Sequence, residues 1–218
     1  VGTSALKTVG VYAFTGSKKL TTVVLPDELE LKGETGMFAD EPGTYYMFND
    51  CEKLTSVTLP SSWTTLGEGT FKDCTSLATI DLNKVTTLES HSNGTFENCS
   101  SLVDVKGLEN VESVGDSVFK NCSSLVDANI SLATTIGSEA FYGCEKLENV
   151  DVCESLESLG ESAFAYCTNL KSMVIPEGVE GIDVATAFVG CVSLEKFVIN
   201  NSDYKTVDGV VYSADGSE

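Results

Sequence analysis

The residues of this chain that could do chemistry are one histidine, eight cysteines and thirty-three acidic side chains. Nucleophilic catalysis requires a base beside the nucleophile, and the only histidine, His91, stands in a polar segment with no evident partner. The sequence contains no G-x-S-x-G elbow, no phosphate-binding glycine loop and no H-E-x-x-H helix. We therefore predict that the chain is not an enzyme and uses no cofactor.

Seven of the eight cysteines recur at one spacing, and this pattern argues against both disulfides and zinc. Equivalent residues of stacked repeats point the same way, and parallel Cα–Cβ bonds do not satisfy the torsion of a disulfide. We expect small, buried, free thiols, among which an introduced serine would need a polar partner. Cys153 stands outside the spacing and is the thiol we expect to be accessible, and no C-x-x-C pair offers a zinc site. The regularly spaced cysteines are Cys51, Cys74, Cys99, Cys122, Cys144, Cys167 and Cys191.

These cysteines belong to a frame, F-x-x-C-x-x-L, that recurs eight times, with Ser17 in place of the first cysteine. Its period, near 23 residues, predicts a solenoid in which each repeat stacks only on its neighbours. We expect about eight repeats over residues 1–199, with an insertion at about 27–47. Residues 200–218 are expected to form a terminal hairpin, because Asp208-Gly209 suits a type I′ turn. The frame is anchored at Phe14, Phe48, Phe71, Phe96, Phe119, Phe141, Phe164 and Phe188.

Each repeat combines a strand pattern with a turn pattern. In the second repeat, Val57 and Leu59 follow the period-2 alternation of a strand, and Pro60 ends it because proline lacks a ladder donor. Further on, Phe71 and Cys74 stand three residues apart. This spacing predicts a short helical or 3₁₀ turn between neighbouring strands.

The combined frame, I-G-x-x-A-F-x-x-C-x-x-L-x-x-V-x-L-P, resembles the BspA-type (Treponema pallidum-type) leucine-rich repeat. The resemblance covers the chain from about Ala5 to its end and implies a curved leucine-rich repeat solenoid. Short parallel strands would line the concave face, with short helical or 3₁₀ turns and loops on the convex side. Members of this family are mostly surface-exposed or secreted bacterial proteins, and some are adhesins that bind host matrix proteins. We therefore expect an extracellular or cell-surface location, a monomer, and a protein or peptide ligand such as a host matrix protein.

The strand pattern also predicts which side chains line the concave face. In L-x-x-V-x-L, the residues on either side of the valine should point outward. Three interpretations remain open for the central repeats: a solvated polar face, a site for a basic protein or peptide, and a calcium site built from carboxylate oxygens. The candidate residues are Asp81, Asp104, Lys106, Asp127, Asn129, Asn149 and Asp151.

The insertion offers a second candidate, because inserted loops carry function more often than scaffold does. Its aromatic residues include Tyr45 and Tyr46. They either fold back as a lid over the adjacent repeat or contact a ligand.

Charge narrows the class of partner. The formal net charge of −20 would repel a phosphate backbone and an anionic membrane surface, so we expect no nucleic acid partner. No apolar run approaches the length that spans a bilayer. The sequence thus predicts a noncatalytic recognition module that binds protein through the concave face. The alternative is a structural spacer that presents another domain of a larger surface protein.

Overall fold

The computed structural model describes residues 6–32, 43–82, 84–179, 184–199, 204–207 and 210–213. The chain is a parallel β-solenoid of about eight turns, which confirms the predicted leucine-rich repeat fold. In chain order the strands are β1 (Thr8–Gly10), β2 (Thr22–Val24), β3 (Glu30–Lys32), β4 (Ser56–Thr58), β5 (Thr65–Leu66), β6 (Thr79–Asp81), β7 (Thr87–Leu88), β8 (Asp104–Lys106), β9 (Ser113–Val114), β10 (Asp127–Ile130), β11 (Thr135–Ile136), β12 (Asn149–Val152), β13 (Ser158–Leu159), β14 (Ser172–Ile175), β15 (Lys196–Ile199), β16 (Tyr204–Val207) and β17 (Val210–Ser213).

The strands of the leucine frame form the strand wall, which consists of β2, β4, β6, β8, β10, β12, β14 and β15. They pair in parallel as β2–β4, β6–β8, β10–β12 and β14–β15. Equivalent positions face each other in each pair, as Ile80 faces Val105. Within the described residues, the wall is therefore a row of four hydrogen-bonded pairs rather than one continuous sheet.

A second row of strands crosses the return path of five consecutive repeats. The two-residue strands β5, β7, β9, β11 and β13 form one five-stranded parallel sheet, here named the return wall. Its inward residues include Leu66, Leu88 and Val114, which align in register and are buried. The five repeats that contribute these strands are thus hydrogen-bonded to one another on a second side of the core.

The segment around each repeat phenylalanine forms the third side, here named the turn wall. The backbone N–H groups of Gly69, Phe71 and Asp73 donate to carbonyl oxygens of the next repeat at 3.0, 2.8 and 2.8 Å. Gly69 and Asp73 have φ angles of +62° and +61°, whereas a helix needs φ near about −60° throughout. Hydrogen-bonded turns therefore replace the helical segment that the spacing of Phe71 and Cys74 predicted. Among the described residues, only α1 (Val184–Ala187) and a 3₁₀ turn at Leu108–Asn110 are helical.

The repeat phenylalanines form a continuous column through the core. Neighbouring ring centroids lie 5.1–5.6 Å apart along the whole series. Rings from Phe48 to Phe164 are fully buried, and stacked aromatic pairs contribute about 0.5–1.5 kcal/mol each beyond their area. The column therefore links every repeat to the next.

The cysteines line the core beside this column. All eight are free, and six of the seven in the repeat frame are buried, while Cys191 and Cys153 are half-buried. These findings confirm the prediction of free thiols packed inside the solenoid. Burial raises the pKa of the Cys122 thiol well above its ordinary value, because a thiolate loses its hydration there.

The last two strands, β16 and β17, pair antiparallel with Val207 opposite Val210. Asp208 and Gly209, where the sequence predicts the turn, lie outside the described residues, as do Met37 and Phe38 of the insertion.

Candidate binding face on the strand wall

The candidate residues of the strand wall lie on its outer face, as the alternation of the strands predicted. Asp104 and Lys106 are exposed on either side of the buried Val105, which is 7 % exposed. Asp127 and Asn129 flank the buried Ala128 in the same way. We call this outer surface the strand face.

Strand pairing decides which of these side chains become neighbours. Asp81 faces Lys106 across the β6–β8 ladder, and Asp104 faces Thr79. Like charges directly opposite each other destabilise a sheet, whereas opposite charges stabilise it. The register therefore places a basic or neutral residue, not another acid, opposite each aspartate of this pair of strands.

In the β10–β12 pair, each aspartate faces an asparagine across the ladder. Asp127 faces Asn149, whose Nδ2 donates a hydrogen bond to Asp127 Oδ1 at 2.7 Å. Asn129 faces Asp151, and Asn129 Oδ1 accepts a hydrogen bond from the backbone N–H of Ser131 at 3.2 Å. Asp151 makes no side-chain hydrogen bond or ion pair among the described residues, and the same holds for Asp104. Two exposed carboxylates of the strand face are thus available to a partner.

The carboxylates are spread along the wall rather than gathered at one point. In the part of the chain that the structure describes, no group of three or more His, Cys, Asp and Glu residues could hold a metal ion. Calcium takes six to eight oxygen ligands within about 2.3–2.6 Å.

Sequence reasoning missed a second line of charge at the start of these strands. Glu148 and Lys171 precede adjacent rungs and form an ion pair between Lys171 Nζ and Glu148 Oε2. The hydrogen bond and charge of Glu148, and then the charges of Glu195 and Asp127, raise the pKa of Lys171. The sequence offered a signal for this ion pair, because Glu148 and Lys171 each directly follow the leucine of their repeat frame.

The two insertion tyrosines pack against the array. Tyr45 is 8 % exposed and lies so close to Gly67 that a Cβ there would meet its ring at 3.1 Å. Tyr46 stacks on Tyr12 with ring centroids 5.4 Å apart and donates from its hydroxyl to Glu68 Oε1 at 2.6 Å. Burial, and then the hydrogen bond to Glu68, raise the pKa of Tyr46. These contacts favour the lid interpretation over direct ligand contact.

His91 lies exposed in its turn and makes no hydrogen bond among the described residues. Its neighbour across a cavity of about 300 Å³, Asp116, accepts a hydrogen bond from the backbone N–H of Ser138 at 2.7 Å. In the described part of the chain, no helix has both the length and the apolar character needed to cross a membrane.

Comparison with solved structures finds leucine-rich repeat proteins. The T. pallidum leucine rich repeat protein TpLRR is 25% identical over 75% of this chain and 71% of that chain, with a TM-score of 0.59. A leucine-rich repeat protein from Eubacterium ventriosum is 20% identical over 92% of this chain and 48% of that one, with a TM-score of 0.50. A leucine rich cell surface protein from Faecalibacterium prausnitzii is 22% identical over 88% of this chain and 62% of that one, with a TM-score of 0.48.

Comparison with curated proteins finds no match. The sequence does match the family described as a BspA type leucine rich repeat region, in six copies that cover residues 2–40, 44–135 and 93–214. The matched residues span nearly the whole solenoid, including the strand wall and the phenylalanine column. The chain belongs to the BspA-type leucine-rich repeat family.

Proposed function

We propose that this chain is a noncatalytic recognition module that binds a basic segment of another protein on its strand face. The proposed location is the cell surface or the extracellular space, which the family resemblance implies. The observation that carries the proposal is the arrangement of four aspartates along one exposed face, none of which faces another acid across its ladder.

Charge supports a basic partner. The net charge of −20 attracts a positively charged protein from a distance and raises its association rate. Within each strand pair the two aspartates stand diagonally across the ladder, at a separation of about 7–8 Å, which is close to the Debye length of about 8 Å at physiological salt. Several lysines or arginines of one segment would therefore be attracted by more than one carboxylate at once.

The carboxylates of the strand face can still accept hydrogen bonds from a partner. Asn149 holds the Asp127 carboxylate through one oxygen, which leaves further lone pairs for a guanidinium or ammonium donor. Asp104 and Asp151 need no internal bond to be broken before they bind. A basic segment would thus add hydrogen bonds without displacing those that stabilise the ladder.

The test compares two variants of equal charge. The strand-face variant replaces Asp81, Asp104, Asp127 and Asp151 by Asn. The control variant removes four exposed acids from the return path and turns by replacing Glu109, Glu112, Glu157 and Glu161 with Gln.

Both variants are measured against a lysine-rich peptide and a panel of purified matrix proteins, at low and at high salt. We expect the strand-face variant to lose affinity by about tenfold or more and to lose part of its salt dependence. The control variant should bind more nearly like the original chain. Equal affinity and equal salt dependence of the strand-face variant would exclude the strand face as the binding site.

A structural spacer is the second candidate function, and the continuous phenylalanine column favours it. Because every repeat stacks on the next, the array would hold another domain at a fixed distance. In that case the strand-face variant would leave adhesion of the parent protein unchanged, whereas deletion of two central repeats would weaken it.

A further inference from the structure

Tyr166 adopts a backbone conformation that its residue type disfavours. It lies two residues after the repeat phenylalanine and has a φ angle of +61°. The other seven repeats also have positive φ at this position, but they place only glycine, aspartate or asparagine there, the types that tolerate the left-handed region. A tyrosine held in this region is strained, and the stacked repeats keep it there.

The strain places an aromatic ring on the surface of the turn wall. Tyr166 is 46 % exposed, and a Cβ on Gly190 would meet its ring at 2.7 Å, so the next repeat supports the ring from one side. Tyr142 contacts the ring edge-to-face, with centroids 5.2 Å apart. Lys120 Nζ lies 5.3 Å from the centroid of the Tyr142 ring, so the pair is fixed by its neighbours.

An open groove of about 540 Å³ continues from these rings along the turn wall. Its floor includes Gly143, where a Cβ would meet Asn121 Oδ1 at 2.7 Å. The Asn121 amide donates to Asn98 Oδ1 at 2.9 Å, and the Asn98 amide donates to Asp73 Oδ1 at 2.8 Å. This amide ladder fixes both asparagine side chains and orients Asn121 Oδ1 as an acceptor beside the glycine.

Hydroxyl groups line the groove as well. Ser100 and Ser123 lie along it, and their side chains make no hydrogen bond among the described residues. Glu145 is the one charged residue in the lining. The groove thus offers an aromatic ring, fixed amides and available hydroxyls on a nearly neutral surface.

We propose that this groove binds a neutral sugar chain. The apolar C–H face of a pyranose would pack on the Tyr166 ring, and its hydroxyls would bond to the amide ladder and to the serine hydroxyls. The net charge of −20 disfavours sugars that carry carboxylate or sulfate groups.

Backbone pairing argues for a sugar over an extended peptide. A peptide that adds to a wall needs unpaired backbone groups, but the two N–H groups beside the rings and the amide ladder already have partners. The N–H of Asn121 donates to Tyr142 O at 2.7 Å, and the N–H of Gly143 donates to Ala165 O at 2.8 Å. This site lies on the turn wall and does not depend on the proposed function of the strand face.

The test replaces Tyr166 with Asn, the residue that the fourth and fifth repeats carry at this position. Because asparagine relieves the strain, we expect Tyr166→Asn to melt at the same temperature as the original chain or higher. Tyr12→Asn is the matched control, since Tyr12 is also 46 % exposed, has a φ angle of +59° and lies outside the groove.

The probes are tetrasaccharides of β-linked glucose, xylose, mannose and N-acetylglucosamine, with a galacturonate tetrasaccharide as the acidic comparison. They are titrated calorimetrically into the full chain. We expect at least one neutral sugar to bind, with a loss of about tenfold or more in Tyr166→Asn and little change in Tyr12→Asn or in the strand-face variant. Absence of binding to every neutral probe at millimolar sugar, equal losses in both tyrosine variants, or tighter binding of galacturonate would each overturn the proposal.

Discussion

The Cys122 thiol donates a hydrogen bond to the carbonyl oxygen of Phe96, one repeat earlier, with a Sγ–O distance of 3.1 Å. Both residues are fully buried. The same bond recurs through the array at 3.1–3.2 Å from Cys51 to Cys191. The cysteine column is therefore a row of donors as well as a row of packed side chains.

This relationship changes the expected effect of serine in the column. The sequence alone indicated an apolar row in which a hydroxyl would need a partner, and the Phe96 carbonyl provides one. We expect Cys122→Ser to lower the free energy of unfolding by about 1–2 kcal/mol, and by no more than Cys122→Ala, which keeps no donor. Urea unfolding of both variants measures the difference, and a serine variant clearly less stable than the alanine variant would contradict it.

Stability should fall at alkaline pH. Burial raises the pKa of the Cys191 thiol from 9.0 to about 11 and raises the pKa values of the more buried repeat thiols too. Above about pH 9 the thiols of the unfolded chain lose their protons, while those of the native chain keep them. The contribution of these thiols to the free energy of unfolding is therefore fully present below about pH 9 and is lost as the pH rises above it. Urea unfolding at about pH 8 and about pH 10 should show the decrease. Cys122→Ala, which has one thiol fewer, should show a smaller decrease, and equal stability at both pH values would refute the prediction.

The central phenylalanines should matter more than the first. Phe119 is fully buried between Phe96 and Phe141, with centroids 5.4 and 5.2 Å away. Phe14 is only partly buried, and its stacked neighbour is Phe48. We expect Phe119→Ala to lower the free energy of unfolding by about 3–5 kcal/mol and Phe14→Ala by clearly less. Chemical denaturation compares the two variants directly. An equal or larger loss of stability in Phe14→Ala would contradict the prediction that a ring stacked between two neighbours contributes more.

Gly94 should not accept a side chain. A Cβ there would lie 1.7 Å from the carbonyl oxygen of Ser117 and 2.9 Å from Val118 Cα. Neighbouring repeats hold this segment, since the N–H of Ser117 donates to Ser138 O and Val118 O accepts from the N–H of Phe96. We expect Gly94→Ala to lower the free energy of unfolding by about 3 kcal/mol or more, or to prevent folding. Gly16→Ala is the control, because its Cβ would meet open space and should cause only the left-handed backbone penalty of about 1–2 kcal/mol. Similar melting temperatures for the two variants would contradict this expectation.

The sequence by itself determined the architecture and the facing of the strands. Eight copies of one frame indicate a stacked array, because only neighbouring repeats can cover the apolar residues of each copy. The exposure of Asp104 and Lys106 around buried Val105 was also predictable, since alternation along a strand is a local property of the backbone. The buried state of Cys122 followed from its fixed place in the same frame.

Only the tertiary structure decided which side chains meet across repeats. Asn149 bonds to Asp127 because β10 and β12 pair in one register, and no pattern within a single repeat encodes that distance. The strands of the return wall have two residues each, which is too few to show the alternation of apolar and polar residues that identifies a strand in a sequence. The left-handed turn at Tyr166 was equally hidden, because tyrosine has no local preference for positive φ. Stacking imposes that conformation, since it turns the N–H of Tyr166 toward Val189 O, 2.7 Å away in the next repeat.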